Sequence, residues 1–320
     1  MLQYTVRRLG LVILSLVGVS MLLYGLMHLA PGGPEAVLLG EDINPHAAAQ
    51  IRIALGLHRP IYVQYYYWAR NMITGDMGLS YRTGYPVANL IARTLPNTII
   101  LGFSALAFSI SVSVVIGVMA AIRQYSLFDH GATIFSFTWI SMPNFWFGLL
   151  CMMYFGYMLG WFPISGTRTI GLTPGTLNYY LDRAHHLVLP VIVLGMARLA
   201  SLVRYTRSSM LDIMHSDFIR TARAKGLSER TVIYKHALRN ALVTVVTVVG
   251  LSLRFLVSGS VIVESVFAYN GIGRSAVHAV FERDYPLIMG INMMIAVVVL
   301  LANLITDLAY ALVDPRITYK

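Results

Sequence analysis

Long apolar runs separated by polar segments set the pattern of this chain. Six of them approach the roughly 17 to 25 residues that a helix needs to cross a membrane, and they cover residues 9–29, 98–122, 132–159, 187–203, 241–263 and 287–312. The fourth run is short and contains Arg198, but without it the two termini would lie on opposite sides of the membrane. We therefore predict an all-α fold, a polytopic membrane helical bundle with six transmembrane helices.

Composition and charge agree with this prediction and orient the bundle. The chain is 57% apolar and only 12% charged, which excludes a soluble globule. If the N-terminus is inside, Lys and Arg are concentrated in the inner segments, so both termini are predicted to be cytoplasmic. The net charge of +10 then reflects these loops and anionic lipid, and nucleic-acid binding is not expected. The first run follows Arg7 and Arg8 and is longer than the apolar region of a signal peptide, so it should remain as an anchor.

The segment at 31–93 is predicted to lie outside the membrane. It is rich in Pro, Gly and aromatic residues, including PGGP at 31–34 and YVQYYYW at 62–68. A small folded cap with tyrosines at the lipid interface is favoured over direct contact with a substrate. The predicted organisation is an N-terminal transmembrane helix at 1–30, this cap, a core at 94–312 that contains a cytoplasmic loop at 204–240, and a cytoplasmic tail at 313–320.

The most informative polar stretch is the basic segment at 204–239. Its centre, DFIRTARAKG, predicts one short helix, with Asp217 capping its first turn and Gly226 ending it in a left-handed turn. So short a helix is not stable alone and must lean on a partner surface. From the residues alone, docking to an acidic groove of a soluble protein and resting on anionic headgroups are both open. The candidate residues are Asp217, Phe218, Ile219, Arg220, Thr221, Ala222, Arg223, Ala224, Lys225 and Gly226.

The spacing within this segment predicts which side chains share a face. Phe218 and Ala222 are one turn apart, with Ile219 nearby, so they should form a small apolar face rimmed by arginines. A second helix should begin after Ser228 as its cap. It would place three residues on one face: Ile233, Ala237 and Ala241.

Ionisable residues inside the spans are candidates for function, because a charge at mid-bilayer is unfavourable unless it faces a cavity or a partner. Arg254 lies near the middle of the fifth run among small residues that include Ser252 and Ser258. These three residues are predicted to face a translocation path, where Arg254 would hold an anionic group such as a peptide carboxylate; the alternative for Arg254 is a salt bridge to a neighbouring helix or subunit. Structural roles are expected for three others: Arg198, Glu264 and Asp307.

The sequence gives little support for a metal site, a disulfide or an ATP site in this chain. His185 and His186 are adjacent, so on a helix they point to different faces and are expected at the outer interface rather than in a metal site. The single cysteine, Cys151, excludes an intramolecular disulfide. No glycine-rich phosphate loop followed by Lys-Ser/Thr occurs, so ATP is not expected to bind this chain.

The basic segment resembles the cytoplasmic coupling motif of ABC importer permeases, which has the form EAA, three residues, Gly, nine residues, Ile, any residue, Leu-Pro. Three positions match: Ala222 for the second alanine, Gly226 for the glycine and Leu238 for the leucine. Four depart: Arg220, Thr221, His236 and Arg239 stand in place of Glu, the first Ala, Ile and Pro. The stretch at 207–242 is more similar to the dipeptide, oligopeptide and nickel subfamily, in which the Glu and Pro are commonly absent.

The resemblance extends over nearly the whole chain. It includes MLQYTVRRLGLVI at the start, LGLHRPIYVQY from Leu55, GDMGLSYRTGYPV from Gly75, SMPNFWFGLL from Ser141, ESVFAYNGIGRSAVHAVFERDYPLI from Glu264, and DPRI from Asp314. Asn270 stands where a proline is usual in this family.

The resemblance implies the transmembrane domain of a type I ABC importer, a non-enzymatic permease of the cytoplasmic (inner) membrane with a cytoplasmic coupling helix. Its implied partners are a second homologous permease, two ATPases that bind ATP and Mg, an extracytoplasmic binding protein, membrane lipid, and a di- or oligopeptide substrate. The alternatives are the same machinery carrying nickel or another small solute, and, less favoured, a secondary transporter.

Overall fold

The computed structural model describes residues 2–29, 37, 45–252 and 260–313. Within these residues the regular elements are all helices, and one isolated antiparallel bridge joins Leu79 and Pro86. The first helices are α1 (Leu2–Leu29), α2 (Pro45–Ala54), α3 (Ile61–Ile73), α4 (Val87–Ile122), α5 (Leu127–Ser141) and α6 (Asn144–Cys151), which continues as a π turn (Met152–Met158). They are followed by α7 (Leu177–Met214), α8 (Asp217–Ala224), α9 (Glu229–Thr231) with a π turn (Val232–Ala237), α10 (Leu238–Ser252), α11 (Val261–Val266), α12 (Ile272–Phe281) and α13 (Tyr285–Val313).

The predicted all-α bundle is confirmed, and the predicted spans differ in length from the helices; the predicted fifth span at 241–263 lies partly outside the described residues, at 253–259. Five described helical segments are long and apolar enough to cross a membrane, and a sixth crossing results if α5 and α6 form one bent span. The fourth run, short in its apolar pattern, lies in α7, which has 38 residues. The second span begins at Val87 rather than at residue 98. Hydropathy marks only the part of a helix that suits lipid, and the backbone hydrogen bonds continue beyond it.

The third span is not the single run predicted at 132–159. It begins at Leu127, and α5 and α6 meet at an angle of 104°. Pro143 lacks a backbone N–H and restricts the preceding Met142 to an extended conformation, φ −87 and ψ 124, which ends α5. Near the break, the Ser141 hydroxyl donates to the Phe137 carbonyl at 3.1 Å. This side-chain bond satisfies part of the backbone at the end of the helix.

The contacts divide the chain into two compact units, Met1–Thr98 with Asn270–Lys320, and Ile99–Tyr269. In the first unit α1 packs along α13, and Arg8 Nη1 lies 2.7 Å from Asp307 Oδ2. This ion pair is a structural role for Asp307, as expected from the sequence. The domain boundaries expected from the sequence stay a prediction.

Helix α3 belongs to the predicted cap and packs on α1. The ring of Tyr24 lies 5.6 Å from the ring of Tyr65 and 5.4 Å from that of Trp68, measured between centroids. Gln64 accepts a hydrogen bond from the Tyr24 hydroxyl at 3.3 Å. Other tyrosines of α3 are exposed, as the cap prediction requires: Tyr62, Tyr66 and Tyr67.

A buried carboxylate joins two distant segments of the first unit. Asp284, fully buried just before α13, accepts hydrogen bonds from the Ser80 hydroxyl, from the Tyr81 N–H at 3.1 Å and from the Leu287 N–H at 3.4 Å. The preceding Arg283 has a positive φ of 52°. Asp284 thereby caps α13 and fixes the loop before α4 against it.

In the second unit, α4 and α7 approach closely through glycines. A Cβ atom at Gly195 would lie 2.6 Å from Phe108 Cδ1 and 3.1 Å from the Ala105 carbonyl oxygen. The Ser109 hydroxyl donates to the Gly195 carbonyl at 2.7 Å. Because lipid is as apolar as a leucine side chain, membrane helices associate through such close packing and interhelical hydrogen bonds rather than through burial of apolar area.

Thr206 in α7 carries a buried hydroxyl that has no hydrogen-bond partner among the described residues. Replacing Thr206 by valine keeps the shape and removes this group, so we expect the free energy of unfolding to rise by about 1 kcal/mol. Thermal unfolding in detergent measures the change. The matched control is Thr98→Val, since the equally buried Thr98 hydroxyl accepts the Ile272 N–H at 2.8 Å and its loss should destabilise the protein. A lower melting temperature for Thr206→Val would contradict the prediction.

Candidate functional site

The predicted short helix at 217–226 is present as α8, and one detail of its start is different. Ser216, not Asp217, occupies the N-cap position, and its hydroxyl donates to the Ile213 carbonyl instead of accepting from the first turn. Asp217 is exposed in the first turn, with Oδ1 3.7 Å from Arg220 Nη1, and its charge still suits the positive end of the helix. Gly226 adopts a φ of +75°, the left-handed turn expected of it.

The buried face of α8 differs from the predicted one. Ile219 is fully buried and Ala222 is 7% exposed, whereas Phe218 is 44% exposed. Positions three and four apart both share a helix face, so spacing alone could not choose between Ile219 and Phe218 as the partner of Ala222. The buried pair packs on the chain's own core, in a cluster we call the α8 seat: Val118, Ala121, Met210, Ile219, Ala222, Val232, Ala237 and Ala241.

The outward face of α8 therefore consists of one aromatic side chain surrounded by mostly charged side chains. Phe218 is its single exposed large apolar side chain. The other exposed residues of the predicted set are Asp217, Arg220, Thr221, Arg223, Ala224, Lys225 and Gly226. An exposed aromatic with a basic rim is typical of a binding anchor, because it offers a large apolar area with few rotatable bonds.

A surface ion pair connects α8 to the next helix. Arg223 donates to Glu229 from Nε at 2.8 Å and from Nη2 at 3.3 Å. Ser228 caps α9 by accepting the Thr231 N–H at 3.4 Å, as predicted. Exposed pairs contribute little stability, so Arg223 orients the turn rather than holding the loop together.

The helix that returns from the loop contains a π turn that the sequence did not reveal. Val232 and Ala237, five residues apart, are both buried, as the π period requires, and Ala241 is buried one α turn later. Of the predicted face, Ala237 and Ala241 belong to the α8 seat and Ile233 is partly buried against it. Val232, which was not predicted, also belongs to the α8 seat. Periodicity at 3.6 residues cannot place a turn of this kind.

The residues predicted for the translocation path lie largely beyond the described part of the chain. Arg254 and Ser258 are outside the described residues, and Ser252 is the last residue of α10. Close to this region, Glu264 is fully buried and its Oε1 accepts from the Ser260 hydroxyl at 2.7 Å. Arg198, for which a structural role is expected, lies inside α7 and is half-buried.

Tyr269 is a further buried polar residue that sequence reasoning did not select. It is 3% exposed, outside the helices that cross the membrane, and burial raises its pKa to about 12. Its phenol therefore stays neutral at physiological pH. Its backbone N–H donates to the Glu264 carbonyl at 2.8 Å, which ties the turn before α12 to α11.

The two adjacent histidines have different partners. His185 Nε2 lies 2.8 Å from the Trp161 carbonyl, and His186 Nδ1 lies 2.9 Å from the Asp182 carbonyl. They thus point in different directions, as their sequence positions predict. Over the described residues, no group of three His, Cys, Asp or Glu side chains is arranged to hold a metal ion.

Comparisons with known proteins cover the whole chain. A family model described as binding-protein-dependent transport system inner membrane component matches residues 113–319, and a model for the N-terminal part of such membrane components matches residues 1–102. The oligopeptide transport system permease protein AppB of Bacillus subtilis is 44% identical over 100% of both chains. The di/tripeptide permease DppB of Pseudomonas aeruginosa and the dipeptide permease DppB of Escherichia coli K12 are 39% and 38% identical, also over 100% of both chains.

Two solved structures share the fold. The MetNI methionine ABC transporter in inward-facing conformations matches with a TM-score of 0.54 at 16% identity, covering 70% of this chain and 96% of the other. An amino acid ABC transporter with histidines matches with a TM-score of 0.51 at 16% identity, covering 70% and 94%. These similarities confirm the predicted fold.

Proposed function

We propose a function for this chain on the premise that it belongs to the family of binding-protein-dependent transport system inner membrane components. It is a multi-pass permease subunit of an ATP-driven importer, and it passes di- or oligopeptides across the cytoplasmic membrane. The names of its full-length relatives support the peptide substrate, since they are permeases for oligopeptides, di/tripeptides and dipeptides. The same machinery carrying nickel or another small solute is the alternative.

The observation that carries the coupling role is the two-sided character of α8. Ile219 and Ala222 anchor the helix in the α8 seat, so a force on α8 acts on the chain's own helices. Phe218 faces outward among basic residues, which suits an apolar groove with an acidic rim on a partner protein. We infer that this partner is an ATPase, and that its closure acts on the bundle because it binds one arrangement of α8 better than another.

The remaining parts of the assembly follow from this proposal. Two partner ATPases bind ATP and Mg, a second homologous permease completes the membrane domain, and an extracytoplasmic binding protein delivers the peptide. Both termini and α8 lie on the cytoplasmic side, and the chain itself catalyses no reaction. We propose the same path role for Ser252, Arg254 and Ser258 as their sequence positions predict, with Arg254, outside the described residues, as the group that binds the peptide carboxylate.

The test begins with the chain purified in mild detergent from its host together with the subunits that accompany it. The complex is reconstituted in liposomes with its binding protein, and uptake of labelled dipeptides, longer peptides and Ni²⁺ is measured with and without ATP. Peptide uptake that requires ATP supports the proposal. Uptake by this chain alone without ATP would favour the secondary-transporter alternative. Uptake of Ni²⁺ but not of peptide would contradict the proposed peptide substrate.

The same system tests the outward face of α8. Phe218→Ala is expected to lower ATPase retention and ATP-driven uptake by roughly tenfold or more, because interface anchors of this kind contribute about 2 kcal/mol or more. The control is Phe281→Ala, which removes another exposed ring, 84% exposed, at the end of α12. Equal uptake in both variants would exclude Phe218 as the anchor.

A further inference from the structure

An ion pair with a buried carboxylate, Asp129 with Arg207, lies beside the α8 seat. Arg207 in α7 donates from Nε and Nη2 to Oδ1 and Oδ2 of Asp129, at 2.5 and 2.7 Å. The side chain of Asp129 is 3% exposed and that of Arg207 is 27% exposed. Two parallel bonds between a guanidinium and a carboxylate fix distance and orientation together, which a single point charge does not do.

Asp129 also holds the turn that connects α4 with α5. Its Oδ2 accepts the Tyr125 N–H at 3.0 Å, and its own backbone N–H donates to the Ser126 hydroxyl at 3.3 Å. Tyr125 has a positive φ of 61°, a conformation that a bulky residue rarely adopts. The carboxylate thus stabilises an unfavourable turn and binds α7 at the same time.

Each residue of the pair is near a part of the α8 seat in the sequence. Arg207 is one helical turn before Met210, which is fully buried in the α8 seat. The turn held by Asp129 directly follows the end of α4, where Val118 and Ala121 contribute to the same seat. Helices α4 and α7 therefore both support α8, and both are fixed to the start of α5 by one carboxylate.

We propose that Asp129 and Arg207 are a positioning pair that makes the ends of α4, α5 and α7 move together when α8 is displaced. This inference rests on the proposed function and adds to it the residues that pass the motion from the seat to the bundle. A buried ion pair is weak evidence for stability, since burial removes both charges from water. Its distinctive effect is to forbid sliding between the helices that it joins, and a helix that slides would absorb the displacement of α8.

The test compares the number of peptides imported per ATP hydrolysed in the reconstituted complex. Asp129→Asn is expected to lower this ratio roughly tenfold while ATP hydrolysis continues, because altered contacts along a coupling route change coupling by about this amount. The double variant Asp129→Arg with Arg207→Asp restores the ion pair in reverse but not the acceptor of the Tyr125 N–H, so it should recover part of the ratio. Asp129→Glu, which keeps the charge and is the variant least expected to misfold, should lower the ratio by less than Asp129→Asn does.

The matched control is Asp307→Asn, which breaks the more exposed ion pair with Arg8 and should leave the ratio unchanged. A normal ratio in both Asp129→Asn and Asp129→Glu would overturn the inference, even if the melting temperature falls, because a purely structural role predicts that result. If Asp129→Asn does not assemble, the ratio for Asp129→Glu alone tests the inference: a lowered ratio supports it and a normal ratio contradicts it. The wild-type complex tests the proposed function separately. If it does not import peptide with ATP, the proposed function is contradicted, and the role of this ion pair is not.

Discussion

Replacing Asp284 by alanine is expected to lower the free energy of unfolding by roughly 2 to 6 kcal/mol, about 1 to 3 for each buried donor that loses its acceptor. The two donors counted are the Ser80 hydroxyl and the Tyr81 N–H, which lie far from Asp284 in the sequence; the third donor, the Leu287 N–H, is local. Without these hydrogen bonds, the loop before α4 is no longer held against the start of α13. Thermal unfolding of the purified protein in detergent measures the effect, and proteolysis within residues 76–86 should become faster.

A matched surface pair separates this effect from a general effect of charge. Arg82 and Glu282 connect the same two segments at 3.7 Å, but their side chains are 70% and 42% exposed. Glu282→Ala should therefore change the melting temperature little. Asp284→Asn keeps one acceptor oxygen, so its loss of melting temperature should lie between those of Asp284→Ala and Glu282→Ala. Equal losses for Asp284→Ala and Glu282→Ala would show that the buried carboxylate is not what holds the loop.

Adding a single methyl group at Gly195 is the second change with a large expected effect. The new Cβ would lie 2.6 Å from Phe108 Cδ1 and 3.1 Å from a backbone oxygen of α4, so Phe108 must turn and the helices must separate. Overpacking of this kind destabilises by typically about 1 to 3 kcal/mol. We expect Gly195→Ala to lower the melting temperature and the yield of monodisperse protein.

Gly18 in α1 provides the control, because a Cβ atom there has no neighbour within 4 Å. Alanine is the better helix former by up to about 1 kcal/mol, so Gly18→Ala should be neutral or stabilising. Opposite signs for the two substitutions would establish that close approach, and not helix propensity, explains the glycine at 195. A neutral Gly195→Ala would mean that α4 and α7 can separate without loss.

Much of the fold could be predicted because the membrane imposes a simple rule. Each apolar run had to become a helix, since backbone groups in lipid find no other partners. The limits of the helices were less accessible. The apolar pattern at 187–203 gives no sign that α7 extends from Leu177 to Met214, and the break at Pro143 is visible only as one proline in a long apolar run.

The candidate site was predictable in its location and not in its contacts. The polar composition, the terminal glycine and the resemblance placed α8 correctly at 217–226. Which of Phe218 and Ile219 lies inside depends on how α8 sits on α7 and on the returning helix, and that is tertiary information. The link between Ser80 and Asp284 joins residues 204 positions apart, and no local pattern marks such a pair.

The π turn at Val232–Ala237 bears on how this region can change in length during evolution. A π turn holds one more residue than an α turn, so this segment stores a single-residue insertion between the Ser228 cap and the buried Ala241. Deletion of one residue here would convert the turn to an ordinary helix and leave both flanks in phase. The same deletion inside α8 would rotate Ile219 or Ala222 by about 100° out of its seat. We therefore expect a one-residue deletion to be tolerated in this π turn and not within α8.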